Sequence, residues 1–219
     1  MPTSAAFLVE DATYIFESDR QAFMRSMIFA LALVAAIPQA HAADLIGFWD
    51  QPQHGGNSFN RLPPDQAYFD ALRGYGATWV RLSYDKWKPE KRDFLIGTAD
   101  KYEGLVASDA KTLKQVLDRA HKAGLKVVVA PLSLPGMRWA QNNDKKFDGR
   151  LWADKAYWTQ AADFWRDLAR ELKDHPAVAA YNIVNEPAPE KEGGLAEHAS
   201  IAEMRSWYTR NADSSRDLR

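Results

Sequence analysis

The sequence contains no cysteine. Disulfides and thiolate metal centres are therefore excluded, although export is not, since a large core needs no staples. An excess of charge is missing too. There are 28 basic and 29 acidic side chains, with no long block of one sign. A nucleic-acid surface normally shows a basic patch or stripe, so no nucleic-acid partner is expected. The five histidines, His41, His54, His121, His175 and His198, have no metal-ligand spacing, and neither metal nor cofactor is expected. No phosphate loop and no nucleophile elbow occurs. Gly74 and Gly76 follow a helical pattern rather than a strand, so they are not a dinucleotide fingerprint. Internal repeats and low-complexity segments are absent as well.

What is present is a chain of 219 residues, 46% hydrophobic and 12% aromatic, with eight tryptophans. That length suffices for one domain with a real core. Indole rings line sugar clefts as well as filling cores. The longest apolar stretch lies near the N-terminus. Arg25 gives a short basic region, Met27 to Ile37 is apolar, and Ala40-His41-Ala42 fits a small-x-small cleavage site. This pattern predicts a secretory signal over residues 24–42, cut after Ala42, with no membrane span afterwards. The run is shorter than the roughly 20 residues a bilayer needs. Residues 1–23 carry Glu10, Asp11, Glu17 and Asp19 against Arg20, the wrong chemistry for a signal's leading segment, and are read as lying before the true start at Met24. The mature part, residues 43–219, is expected to be secreted or periplasmic.

From Asp44 onward short apolar runs alternate with helical patterns. Leu45 to Trp49 reads as a first strand. Asp65 opens a helix with Ala67, Tyr68, Ala71, Leu72 and Tyr75 at helical spacing, closed by Gly74 and Gly76. Thr78 to Ser83 is a second strand. Ser108-Asp109 is positioned to cap a helix with the stripe Leu113, Val116, Leu117 and Ala120, stopped by Gly124. Leu125 to Leu132 is a third strand, whose valine run suits burial on both faces. A helix follows with Trp158, Ala161, Ala162, Trp165, Leu168, Ala169 and Leu172. Ala177 to Asn185 is the fourth strand, and Leu195 to Tyr208 is helical. Four strand–helix units with right-handed crossovers give a parallel α/β sheet. The long loops follow the strands, which is where function sits in such folds.

The fourth strand ends on Asn185, Glu186 and Pro187. Period-two alternation puts Asn182, Val184 and Glu186 on one face. A carboxyl at that strand end, flanked by apolar residues, is expected to be partly desolvated and so to hold a proton near neutral pH, as a general acid must. Pro187 lacks a donor and helps end the strand. Arg81, on the second strand, is placed to orient a carboxylate. Trp49, His54, Trp87 and Trp139 fall in strand-end segments and are the substrate-binding candidates, whereas Trp158 and Trp165 are assigned to the core. His121 and His175 are assigned to helix ends.

The segments YGATWVRLSYDKW, GLKVVVAPLSLPG and VAAYNIVNEP, in that order and spacing, resemble family 5 of the glycoside hydrolases, cellulase-like retaining enzymes with (β/α)8 barrels. The resemblance covers about Ile46 to the C-terminus. It implies that Glu186 is the acid/base, that Asn185 bonds the sugar 2-hydroxyl, and that Arg81 supports the nucleophilic carboxylate. One departure is local: where the family has an acid and a histidine after the third strand, this chain has Ala130 and Leu132. The other is length. A (β/α)8 barrel takes about 250 residues, and only four βα units are legible. The fold expected is thus a TIM-barrel type ending after about four units. The family's seventh-strand nucleophile would fall outside this chain, which by itself is expected to hydrolyse a β-linked glycan poorly or not at all. Two other readings are a non-catalytic carbohydrate-binding or assembly module on the same half-barrel, and an inverting hydrolase. No oligomeric state is predicted.

Overall fold

The computed structural model describes residues 45–188, 195 and 199–210. The signal-like segment, the residues before it, His41 and His198 lie outside them. The described residues fall into two units that divide between Pro52 and Gln53. In the first unit residues 45–49 are helical, not the strand that LIGFW suggested. Five apolar residues do not distinguish the two conformations by periodicity.

The second unit is built on a parallel sheet of four strands: β1 (Gly55–Ser58), β2 (Trp79–Leu82), β3 (Lys126–Val129) and β4 (Val178–Tyr181). Their spatial order is β1-β2-β3-β4. Each strand lies beside its predecessor with no reversal, the order of a (β/α)8 barrel rather than of a doubly wound sheet, which reverses at a switch point. Helices α1 (Gln66–Gly74), α2 (Ala107–Lys122), α3 (Arg150–Ala153), α4 (Lys155–Glu171) and α5 (Ile201–Arg210) separate and follow the strands.

The helices form where the sequence supplies caps and stripes. The Asp65 carboxylate accepts from the Tyr68 N–H at 3.0 Å and starts α1. Ser200 and Glu203 make a reciprocal capping box at α5. At α2 the expected cap is not used: Val106 stands at the N-cap, and Asp109, one turn in, binds Arg92 and the Leu95 N–H instead. Leu113, Val116, Leu117 and Ala120 are all fully buried as expected, and each aliphatic side chain among them contributes about 2 kcal/mol. In α1 the true core residue is Phe69 rather than Ala67, Ala71 or Tyr75, which are exposed. In α4 it is Phe164, while Ala162 and Ala169 are exposed.

One face of the sheet carries Val80, Leu82, Val127 and Val129, packed into a single cluster with Phe69, Leu113, Val116, Phe164 and Leu168. The alternate residues Trp79, Arg81, Lys126 and Val128 are only half-buried. The valine run of β3 is therefore covered on one face, not both. β1 runs close to β2. A Cβ at Gly55 would sit 2.4 Å from the Trp79 ring, so only glycine fits there.

Two long connections dominate the C-terminal side of the sheet: residues 83–106 after β2 and 130–149 after β3. They are bolted together by charge. Arg138, on the second, donates Nε and Nη2 to Asp93 Oδ2 on the first, at 3.0 and 2.8 Å. Arg150 donates to Asp148 and, at 2.5 Å, to Asp100. Burial raises the Asp148 carboxyl, but the bonds and charge of Arg150, with the charge of Arg138, outweigh it and hold the group below the usual carboxylate range.

Candidate functional site

Arg81 is the centre of the strand-end cluster. It is the third residue of β2, on the half-buried face, with its guanidinium directed across three strands. Nη1 donates to Asn57 Oδ1 on β1 at 3.2 Å, Nε to Asn182 Oδ1 just after β4 at 2.9 Å, and Nη2 to Asn185 Oδ1 at 2.5 Å. All three acceptors are neutral amides. A planar fork with five fixed donors suits this arrangement, and a lysine could not reproduce it.

The geometry follows from the strands. In the register Asn57 faces Arg81. β4 ends earlier than its sequence suggests. The ladder with β3 shifts by one residue between Val127 and Val128, opposite Val178 and Ala180, and the strand stops at Tyr181. Bulges of this kind recur beside functional sites, where they re-aim side chains. The Asn182 N–H still reaches Val129 O at 2.9 Å, and its side-chain amide donates to Val184 O at 2.7 Å. Residues 183–186 then bend.

Glu186 closes this bend. Its φ is +46°, a left-handed conformation that costs a non-glycine residue about 1 kcal/mol or more. Its side chain is exposed. The partly desolvated carboxyl expected from a regular strand is therefore not what the structure has, because the strand ends five residues earlier and the alternation argument does not extend to Glu186. Arg81, expected to orient a carboxylate, here holds Asn185 and two further amides.

The aromatic candidates fare differently. Trp87 is 9% exposed, donates Nε1 to Asn60 O at 3.1 Å, and packs edge-on against Phe94, so it belongs to the core. His54 precedes β1 instead of following a strand. Its backbone oxygen accepts from Thr78 and Trp79 at the sheet's other end, away from the strand C-termini. Trp49 lies in the helical turn of the first unit and is 39% exposed, not at a strand end. Trp139 does lie on the long connection after β3, half-buried, in edge contact with Phe147 at 5.5 Å.

Sequence reasoning missed two residues beside Arg81. Phe59, the first residue after β1, is 42% exposed, with Arg81 Cζ and Lys86 Nζ each 5.9 Å from its ring centroid. It is the aromatic surface next to the cluster, and placing β1 at Gly55–Ser58 would have found it. Asp85 is the other. It is buried just beyond β2, and its carboxylate accepts from the N–H groups of Leu132 and Ser133 at 2.8 and 2.7 Å. Among the described residues no group of His and acidic side chains is arranged to hold a metal ion.

A family model described as cellulase (glycosyl hydrolase family 5) matches residues 44–216. Among solved structures, an endoglucanase from Pseudomonas stutzeri is 24% identical over 57% of this chain and 33% of its own, with a TM-score of 0.41. A structure described only as a glycoside hydrolase is 17% identical over 77% of this chain and 50% of its own, at 0.49. The endo-1,4-beta-mannanase of Rhizomucor miehei is 15% identical over 62% and 44%, at 0.45. The chain spans between a third and a half of the length of these structures. No curated protein matches it.

Proposed function

The chain belongs to glycosyl hydrolase family 5, and on that premise we propose that its strand-end cluster is part of a retaining endo-β-glycosidase site acting on a glucan-type β-linked polysaccharide or oligosaccharide. The observation that carries this reading is the Arg81 fork, which gathers Asn57, Asn182 and Asn185 at the sheet's C-terminal edge next to Glu186.

In this reading Glu186 gives its proton to the glycosidic oxygen as the bond to the leaving sugar breaks, and later takes a proton from the attacking water. Asn185, its amide oxygen held by Arg81, turns its NH2 group toward the sugar 2-hydroxyl. Arg81 keeps its positive charge beside the place where the nucleophilic carboxylate belongs. Exposure of Glu186 fits a residue that must meet a polymer, and its strained backbone fits a side chain aimed by its surroundings rather than by local preference.

Retention needs a second carboxylate about 5 to 5.5 Å from the first. The described partners of Arg81 are amides and none is a carboxylate in the nucleophile's role, and in this reading the chain binds glycan and turns it over little or not at all. The amide-only surroundings also favour a second reading, a carbohydrate-binding or assembly module. Export rests on the signal-like residues 24–42. The test is a reducing-sugar assay on carboxymethylcellulose and glucomannan with the purified chain, alongside the intact mass of the native exported protein. A mass matching Ala43–Arg219 together with robust hydrolysis would overturn the missing-nucleophile account. A matching mass with binding alone would make the binding module the better reading.

A further inference from the structure

Asp85 opens a single 3-10 turn, Asp85–Trp87, four residues after Arg81, and is 6% exposed. A buried carboxylate is costly unless its charge is met. No salt bridge among the described residues engages it. The Leu132 N–H donates to Oδ2 and the Ser133 N–H to Oδ1, so each carboxylate oxygen holds one backbone donor of the segment after β3. These donors have no place in the ladder. The β2–β3 ladder is carried on by Ala130 N–H to Leu82 O at 3.0 Å, and β3 meets Asn182 through Val129 O at 2.9 Å. The path of residues 130–133, which follow the β3 residue that the Asn182 N–H reaches, is thus set at one end by the sheet and at the other by a single side chain.

We propose that Asp85 is a positioning residue for the site: its carboxylate clamps Leu132 and Ser133 so that the segment after β3 forms the floor beside Asn182 and Arg81, and the clamp loosens when the carboxyl takes up a proton. A carboxylate offers two acceptor oxygens. A protonated carboxyl keeps one carbonyl acceptor, but its hydroxyl oxygen accepts more weakly, so one of the two N–H bonds is weakened. Burial pushes the Asp85 carboxyl up to about 6, against the pull of the Leu132 and Ser133 bonds. The ionisable or polar groups that face it are the hydroxyls of Ser133 and of Tyr84, and Tyr84 is buried and itself raised. The cations of its own segment point elsewhere: Lys86 lies over Phe59, and Lys88 donates to Asn142 O. The clamp is therefore expected to switch near pH 6.

The role in binding rests on the glycan reading; the clamp itself does not. The experiment follows the Leu132 and Ser133 amides of the full chain by nuclear magnetic resonance from about pH 4.5 to 8, in wild type and Asp85→Asn, and measures cellotetraose affinity at the two ends. Both amides are expected to shift with a midpoint near 6 in wild type and to be flat in the variant. Affinity is expected to rise several-fold with pH in wild type and to be weak and pH-independent in Asp85→Asn. Amides that do not titrate in wild type overturn the clamp, and that measurement needs no variant to fold. Affinity that is unchanged in the variant overturns the positioning role. Amides that titrate as expected with no cellotetraose binding at any pH support the clamp and overturn the glycan reading instead.

Discussion

Arg81 and Asn185 stand 104 residues apart and are joined by a 2.5 Å bond from Nη2 to Oδ1. With the bonds to Asn57 and Asn182, it makes one guanidinium the tie between β1, β2 and the end of β4. Arg81→Lys keeps the charge but has no planar fork. It is expected to weaken cellotetraose binding about tenfold while shifting the melting temperature by no more than a few degrees, since only half-buried bonds are lost. Calorimetric titration and thermal unfolding separate the two effects. Undiminished affinity would remove Arg81 from the site.

Glu186 occupies the left-handed region at φ +46° with its side chain exposed. Glycine adopts this conformation without the Cβ penalty. Glu186→Gly is therefore expected to raise stability by up to about 1 kcal/mol, even though glycine also loosens the unfolded chain. Glu186→Gln, which keeps the backbone strain, is expected to leave stability unchanged and to retain glycan binding. Urea unfolding of the two variants side by side decides it. A glycine variant less stable than the glutamine one means that the strain is absent.

Arg138 is 12% exposed at its side chain and holds Asp93 Oδ2 with two nitrogens. Asp93 also accepts from the Ala99 N–H at 3.1 Å. Arg138→Met leaves a buried carboxylate short of its partner, which costs about 3 kcal/mol. The double change Arg138→Met with Asp93→Asn is expected to recover part of that loss. A thermal unfolding cycle with no coupling between the two positions would show the connections after β2 and β3 to be held by other contacts.

Gly136, at φ +72°, lets the chain pass beside Tyr157; a Cβ there would lie 2.5 Å from the ring. Gly136→Ala meets both obstacles, a strained backbone and a ring that Arg150 pins through the Tyr157 hydroxyl. A loss of about 2 kcal/mol is expected in urea unfolding, and a loss below about 0.5 kcal/mol would mean the ring moves aside freely.

The α2 stripe was legible because four aliphatic residues recur at helical spacing and a glycine ends the run. The strand–helix alternation was legible for the same reason, whereas the meeting of Arg81 with Asn185 was not, since the sequence pointed to a carboxylate partner for Arg81. What could not be read was where each strand stops. LIGFW has the composition of a strand but is helical, and β1 is the glycine-led GGNS, which carries no apolar signal. That displacement put His54 at the wrong end of the sheet and hid Phe59. The bulge in β4 likewise moved Glu186 out of regular alternation. Trp87 and Asp85 illustrate a third limit. Each lies in a post-strand segment that the sequence marks as loop, yet that segment folds inward and is buried. Burial of a connection depends on what lies above it, which no local pattern encodes.

Asp85 gives stability an unusual dependence on pH. Its folded value, about 6, lies above the 3.8 of an unperturbed aspartate. The folded state therefore binds the proton more tightly, and the stability this group contributes is fully present below about pH 4 and is lost as pH rises through about 6. The gap between the folded and unfolded values is worth about 3 kcal/mol. Asp148 works the other way. Its carboxyl is held below the usual range, so its contribution is present at higher pH and is lost as pH falls through its folded value. His175, lowered chiefly by burial, opposes Asp85 near neutrality, since its contribution is lost as pH falls. Ionising the Asp85 carboxyl thus orders Leu132 and Ser133 while removing that group's own contribution to stability. The difference between wild-type and Asp85→Asn unfolding free energies, measured by urea titration at several pH values, cancels the Asp148 contribution and isolates this one. It is expected to fall by about 3 kcal/mol from about pH 4 to 7. A flat difference would mean that Asp85 titrates as an ordinary aspartate and that the pH sensitivity of the site, if any, lies elsewhere.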